Sequence, residues 1–222
     1  MHAVGIVAAA GSGSRLGADR PKALVPLAGR PLVSWAVEGL LAGGVDEVVV
    51  TVPPADREAF AAALPPSVRI VDGGGTRTAS VRAGLAALPA AEAPDVVLVH
   101  DAARPLTPPD AVARVLDALR AGARAVVPVL PVVDTTVLVA DDGTVADAVP
   151  RAALRRVQTP QGFHRATLEA AYAALPDGAE LTDDAAVVRA AGIPVATVPG
   201  DERSAKITVP HDLDVAEGQV RR

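Results

Sequence analysis

Two cations follow a glycine-rich stretch near the N-terminus: Arg15 in Gly11-Ser12-Gly13-Ser14-Arg15-Leu16-Gly17, and Lys22 after Pro21. An apolar run from Val4 to Ala10 leads into this stretch and reads as a buried strand. Where such a strand ends in alanines and glycines, main-chain N–H groups approach an anion closely, because little side chain stands in the way. The chemistry this supports is binding of a polyphosphate, with Arg15 and Lys22 to offset its charge.

Two common phosphate loops do not fit. A P-loop needs G-x-x-x-x-G-K-[ST], and Leu16 and Ala18 stand where its register demands other residues. A dinucleotide-binding loop needs G-x-G-x-x-G with an acid after the next strand. Here the third glycine is Gly17, one place late, and the run Glu47–Val52 leads into Pro53-Pro54 with its acids in front. What remains is A-A-A-G-x-G-x-R-x-G followed by P-K, similar to the loop of nucleotidyltransferases that use a nucleoside triphosphate.

The elements around the loop follow from the alternation of Val- and Ile-rich runs with Ala-rich amphipathic stretches. Strands are expected at 3–9, 47–52, 68–72, 95–100, 124–129 and 194–198. Helices are expected near 32–43, 55–64, 77–88, 109–121, 165–174, 183–191 and 211–219. Continuous apolar strands separated by helices imply an α/β fold, Rossmann-like, with a mostly parallel sheet and helices on both faces. Ligands of such sheets sit beyond the carboxyl ends of the strands. The glycine loop, Gly73-Gly74-Gly75-Thr76-Arg77 and Asp101-Ala102-Ala103-Arg104-Pro105 are expected to open on that one edge. Residues 132–150 break the alternation: two β-favouring runs flank Asp142-Gly143, which predicts a hairpin arm. A lone hairpin is marginal in water, so a partner subunit is the expected surface for it. No linker divides the chain, and residues 1–222 read as a single nucleotidyltransferase domain carrying this arm.

Together these motifs resemble the 2-C-methyl-D-erythritol 4-phosphate cytidylyltransferase family of the non-mevalonate isoprenoid pathway. The resemblance rests on the Ala8–Gly17 loop with Pro21-Lys22, then Gly73-Gly74-x-x-Arg77-x-x-Ser80-Val81 and His100-Asp101-Ala102-Ala103-Arg104-Pro105. Thr159-Pro160-Gln161, Leu181-Thr182-Asp183 and Lys206-Ile207-Thr208 complete it, in the family's order. It implies cytidylyl transfer from CTP to the phosphate of methylerythritol phosphate, with Mg2+ as cofactor and a homodimer formed through the 132–150 hairpin. Catalytic roles fall to Arg15 and Lys22, which stabilise the transition state. Arg151 and Lys206 place the acceptor phosphate, Asp101 meets the magnesium nucleotide or the acceptor hydroxyls, and Arg104, Thr135 and Thr159 are further expected substrate contacts. Nucleotide binding falls to Ala9, Ala10, Gly11, Gly13, Gly74, Ser80 and Ala102. Asp101 is also the candidate metal ligand, or a structural partner of Arg104. Thr76 and Thr182-Asp183-Asp184 read as helix caps. Gly75 and Ala205 depart from the residues common at those places in the family.

Composition narrows the alternatives. The net charge of −5 offers no basic face for nucleic acid, which binds through counterion release. There is no cysteine, so disulfides and thiolate metal sites are excluded. No stretch nears the roughly 20 apolar residues of a membrane span, and the short N-terminal apolar run lacks the basic start of a signal peptide. A cytoplasmic enzyme is expected, without membrane or nucleic-acid partners. The rivals are a cytidylyltransferase for another polyol phosphate such as ribitol 5-phosphate, a nicotinamide-dependent oxidoreductase, and a noncatalytic sensor of CTP.

Overall fold

The computed structural model describes every residue except 12, 14, 15, 90–93, 177, 180 and 222. Its first half alternates strictly: β1 (Ala3–Ala8), a small ribbon of β2 (Pro26–Leu27) and β3 (Arg30–Pro31), α1 (Leu32–Ala42), β4 (Glu47–Val52), α2 (Arg57–Ala63), β5 (Arg69–Asp72), α3 (Arg77–Ala86), β6 (Val96–Asp101), α4 (Pro109–Arg120) and β7 (Ala125–Pro131). Then come the hairpin β8 (Thr136–Val139) and β9 (Val145–Val149), β10 (Arg155–Val157), β11 (Gln161–His164), α5 (Arg165–Ala174), α6 (Asp184–Ala190), β12 (Ala196–Pro199) and α7 (Pro210–Val220).

The central sheet runs β10-β7-β11-β6-β1-β4-β5, with β12 also paired to β7. β1 is parallel to β4 and β6, β4 to β5, and β12 to β7. Side-chain alternation along these strands sorts the core into two layers. Ala3 and Val7 of β1 and Val96 and Leu98 of β6 face α1 and α4, meeting Val37, Leu40, Val112 and Leu116. Val4, Ile6, Val97 and Val99 face the opposite layer, with Val81 of α3, Leu168 of α5 and Val188 of α6. Strands buried on both faces explain why the sequence shows continuous apolar runs instead of alternation.

Two strands depart from expectation. β11 is antiparallel to both β6 and β7 and lies between them, and β10 is antiparallel to β7. Neither has an apolar run: β10 reads Arg-Arg-Val and β11 reads Gln-Gly-Phe-His. Main-chain pairing to strands already in place recruits them, so periodicity gives no signal. The order of the sheet sets the site. The chain passes from β1 outward through β4 and β5, then crosses back over β1 to β6. The loops after β1 and β6 therefore diverge and leave a crevice at their carboxyl ends.

The arm is present as expected. β8 and β9 form their own two-stranded sheet, turned at Asp142-Gly143, where Asp142 Oδ1 accepts from Thr144 N (2.9 Å). Leu138, Val139 and Val145 on it are 57 %, 62 % and 65 % exposed. No helix among the described residues is long and apolar enough to cross a membrane.

Phe163 tests whether β11 belongs to the cooperative core, since its ring is fully buried in the layer of α3, α5 and α6. Phe163→Ala is expected to lower the unfolding free energy by about 3–5 kcal/mol in chemical denaturation. A loss below about 1 kcal/mol would mark β11 as peripheral.

Candidate active site

The crevice at the ends of β1 and β6 is a cleft of about 520 Å³. Ala8, Ala9, Ala10, Gly11, Gly13 and Lys22 line one wall. Gly74, Arg77 and Ser80 form a second, and Asp101, Ala102, Lys206 and Thr208 a third. The three loops predicted to converge do so. Gly13 has φ +70° and its position leaves no room for a side chain, because a Cβ would lie 2.5 Å from Lys22 Cβ. The glycine loop is thus packed directly on the backbone that carries Lys22. Gly74 is equally confined: a Cβ there would fall 2.3 Å from that of Ala79. Its N–H donates to Ser80 Oγ (3.1 Å), and that hydroxyl lies 2.8 Å from Thr76 O, so the second wall is a bare main-chain surface held by Ser80. Thr76 is also the N-cap of α3, accepting from Ala79 N (3.1 Å).

A chain of ion pairs closes the third wall. Lys206 Nζ donates to Asp101 Oδ2 at 2.8 Å, and Arg77 Nε to Asp101 Oδ1 at 3.2 Å. Arg77 Nη2 also reaches Asp184 Oδ2 at 2.6 Å, and the Tyr172 hydroxyl donates to the other Asp184 oxygen at 2.6 Å. Burial works to raise the pKa of Asp101, but the charges of Arg77 and Lys206 outweigh it and hold the carboxyl well below its usual range. Burial likewise opposes the charge on Arg77, and Asp184 and Asp101 more than restore it. Burial and the neighbouring Asp184 carboxylate push the Tyr172 phenol upward. Asp101 is therefore a fixed anion and a poor proton acceptor.

Beneath the cleft, His100 fixes the turn after β6. Its ring lies between Thr159 Oγ1, 2.8 Å from Nδ1, and Arg104 O, 3.2 Å from Nε2. The Asp101 N–H donates to the same Thr159 oxygen at 3.1 Å. These contacts assign the neutral tautomer: Nε2–H donates to Arg104 O, and the Thr159 hydroxyl donates to Nδ1. Burial lowers the His100 pKa to about 4, against the pull of Asp101.

Two expected substrate contacts consequently have other positions. Thr159 is buried behind Asp101 with its hydroxyl engaged both ways, and it does not line the cleft. Arg104 does not line it either: its guanidinium donates to Ser204 O (2.7 Å) and Val157 O (3.3 Å), tying the turn after β6 to the chain before Lys206. Nor is Arg104 the direct partner of Asp101, a place that Arg77 and Lys206 hold. Thr135 and Arg151 are exposed at the base of the hairpin and are not on the wall of this cleft. Arg15 lies outside the described residues. Arg77 and Thr208 are cleft residues to which the sequence assigns no role, although Arg77 stands inside the Gly73–Val81 motif. Its buried partner Asp184 lies 107 residues away and reads in the sequence as part of a cap; the capping is done by Asp183, which accepts from Ala186 N.

Among the described residues no group of three or more His, Asp or Glu side chains is placed to hold a metal ion. Asp101 is the one carboxylate among the described residues lining the cleft, and each of its oxygens already accepts from a cation. The residues fit an ion carried in on a triphosphate, with Asp101 at most one ligand, and do not fit a resident metal centre.

The buried imidazole makes stability pH-dependent in a definite direction. The folded-state pKa of about 4 lies below the ordinary value of 6.5, so the unfolded chain takes up the proton first. The stabilisation is complete above about pH 6.5 and is lost as pH falls toward 4, on the order of 3 kcal/mol in all. Thermal unfolding between about pH 7 and 4.5 is expected to show a steeper loss for the native chain than for His100→Gln. Equal slopes would refute the role given to the imidazole.

The sequence profile of the 2-C-methyl-D-erythritol 4-phosphate cytidylyltransferases matches residues 3–222. The chain is 55% identical over 217 residues to the 2-C-methyl-D-erythritol 4-phosphate cytidylyltransferase of Nocardia farcinica, covering 96% of this chain and 92% of that one. It is 50% identical to the protein of the same name from Rhodococcus jostii, over 98% and 94% of the two chains. The crystal structure of the cytidylyltransferase from Thermus thermophilus superposes with a TM-score of 0.82 at 40% identity, over the full length of both chains. With a profile match over almost its whole length, and relatives at this identity, the chain belongs to the 2-C-methyl-D-erythritol 4-phosphate cytidylyltransferase family of CTP-dependent nucleotidyltransferases.

Proposed function

We propose that this chain transfers the cytidylyl group of CTP to the phosphate of 2-C-methyl-D-erythritol 4-phosphate, releasing pyrophosphate, in the cytoplasm and as a homodimer. The observation that carries the reading is the convergence in one cleft of the glycine loop with Lys22, the Gly74–Ser80 surface, and Asp101 with Lys206.

The acceptor phosphate has a second pKa of about 6 and is largely a dianion at neutral pH. One of its oxygens forms a bond to the α-phosphorus of CTP, and the bond from that phosphorus to the bridging oxygen of pyrophosphate breaks. No proton must be removed from the nucleophile. That agrees with a cleft carboxylate held ionised by two cations, and with a His100 that is buried beneath it. The remaining task is to bring two anions together, which positioning and charge neutralisation accomplish.

Lys22 and Arg15 offset charge developing on the triphosphate. Ala9, Ala10, Gly11 and Gly13 present main chain to the phosphates. Gly74 offers main chain to the cytosine on a surface that Ser80 holds, and Ala102 adds to the nucleotide site. Asp101 faces the hydroxyls of ribose or acceptor, and Lys206 receives the acceptor phosphate. Magnesium, entering with CTP, supplies further neutralisation of the phosphates. Arg104 and Thr159 act from behind the wall by holding the turn that presents Asp101. Residues 1–222 form one nucleotidyltransferase domain, with 132–150 as its dimerisation arm. Exposed apolar side chains on that arm support a second copy as its partner, and Thr135 and Arg151 at its base then serve the other subunit's acceptor site.

Pyrophosphate release with CTP and magnesium is expected with methylerythritol phosphate and not with ribitol 5-phosphate; the reverse preference would overturn the acceptor assignment. Lys22→Ala is expected to lower kcat by about 10²–10³ while the fold is retained. Mixing Lys22→Ala subunits with Arg151→Ala subunits is expected to restore activity, because one cleft of the mixed dimer keeps both residues. Mixed dimers without restored activity would sink the shared-site reading. Leu138→Asp is expected to give a monomer by light scattering, and an unchanged dimer would remove the arm from the interface.

A further inference from the structure

When Lys206 turns to an acceptor phosphate, as proposed above, Asp101 loses one of the two counter-ions it has among the described residues. Its side chain is only 11% exposed, and a buried carboxylate without a partner is strongly disfavoured. Lys206 is the more exposed of the two cations, at 44% against 26% for Arg77, and it hangs from an irregular segment between Ala205 and Thr208. Arg77 is built to stay. It opens α3, and its guanidinium is clamped on the far side by Asp184 of α6, which is fully buried and is itself held by the Tyr172 hydroxyl of α5. A planar guanidinium serves two carboxylates through separate N–H groups in fixed directions, which an ammonium does not reproduce.

We propose that Arg77 is a positioning residue for cytidylyl transfer: anchored by Asp184 and Tyr172, it remains on Asp101 and so frees Lys206 to leave Asp101 for the acceptor phosphate. The inference rests on the reading of Lys206 as an acceptor ligand. Its physical content is that two cations share one carboxylate unequally. The anchored cation keeps Asp101 ionised and oriented, and the exposed one is available for exchange. Without Arg77, Lys206 is the last partner of a buried anion, and binding the acceptor requires breaking that pair outright.

Steady-state kinetics of the full chain with CTP and methylerythritol phosphate test the inference. Arg77→Met alone would orphan Asp184, so the variant to use combines Arg77→Met with Asp184→Asn. The KM for the acceptor is expected to rise about tenfold or more, while kcat and the KM for CTP change by less than about threefold. A general loosening of the fold would not produce this split. In a Lys206→Ala, Asp101→Asn background, where no carboxylate is left to orphan, the same two substitutions are expected to add less than about twofold, since Arg77 acts through the Lys206–Asp101 pair. Full additive losses in that background, or parallel changes in all three constants, or no change, would overturn the inference while leaving Lys206 as an acceptor ligand. An unchanged acceptor KM in Lys206→Ala alone would overturn that assignment, and the inference with it. Where the double variant does not fold, Arg77→Lys carries the test: it is expected to show the same split at smaller size, and lowered Tm without the split would overturn the proposal.

Discussion

A carboxylate placed at the end of a fully buried strand has to be neutralised, and in this chain that requirement draws the site together. Asp101 closes β6, between the strands that hold the sheet's centre. Its two counter-ions among the described residues come from 24 residues before it and 105 residues after it. Neither contact is local, so the α3 terminus and the segment leading into α7 must both be in place before the charge is balanced. The arrangement extends inward to Asp184 and Tyr172, giving two cations against two carboxylates with little net charge of its own. The cleft's attraction for a polyanion therefore resides in groups outside this set, the glycine loop and Lys22 foremost. Asp101 and its partners supply shape and fixed direction.

The approach of α3 to the sheet depends on side-chain size. A Cβ at Gly84 would lie 2.7 Å from Ile6 Cγ2, so the helix sits close against β1 at that point. That proximity brings its first turn, with Thr76 and Arg77, beside the ends of β1 and β6. The composition reflects the same need: aromatic residues are only 2% of a chain that is half hydrophobic. Small aliphatic side chains permit close helix–sheet layers, and close layers let loops from three strands meet across a narrow crevice.

The legibility of the sequence divides along this line between local and distant interactions. Strands buried on both faces are legible from continuous apolar runs, and the glycine loop from residue types that favour close main-chain approach. β10 and β11 are not, because main-chain pairing recruits them, β10 beside β7 and β11 between β6 and β7, and they carry no periodic signature. The same holds within the site. Lys22, Gly74, Ser80, Asp101 and Lys206 are legible and line one cleft. Thr159 and Arg104 are legible as residues of the site's surroundings, yet their polar atoms point at His100 and at main-chain carbonyls. A motif reports which residues a site needs and is silent on which side of the wall each occupies. The link from Arg77 to Asp184 spans 107 residues and unites what read as two helix starts, so only the fold reveals it.

The hairpin illustrates a different limit. Thr135 and Arg151 are separated by the whole arm, and nothing in that interval suggests a shared role. The register brings them to one end: Thr136 pairs with Val149, so residues 135 and 151 both flank the open end of the ribbon. Arg151 is tethered there by donation to Val133 O at 2.8 Å. A two-stranded ribbon with exposed Leu138, Val139 and Val145 has no core of its own to hold that geometry. Its rigidity must come from whatever covers these side chains. In the dimer proposed above, a second copy of the chain meets this need, and Thr135 and Arg151 serve its acceptor site. In that proposed dimer, packing of the arm and completion of the acceptor site are one event, which couples subunit association to catalytic competence through the same few apolar side chains.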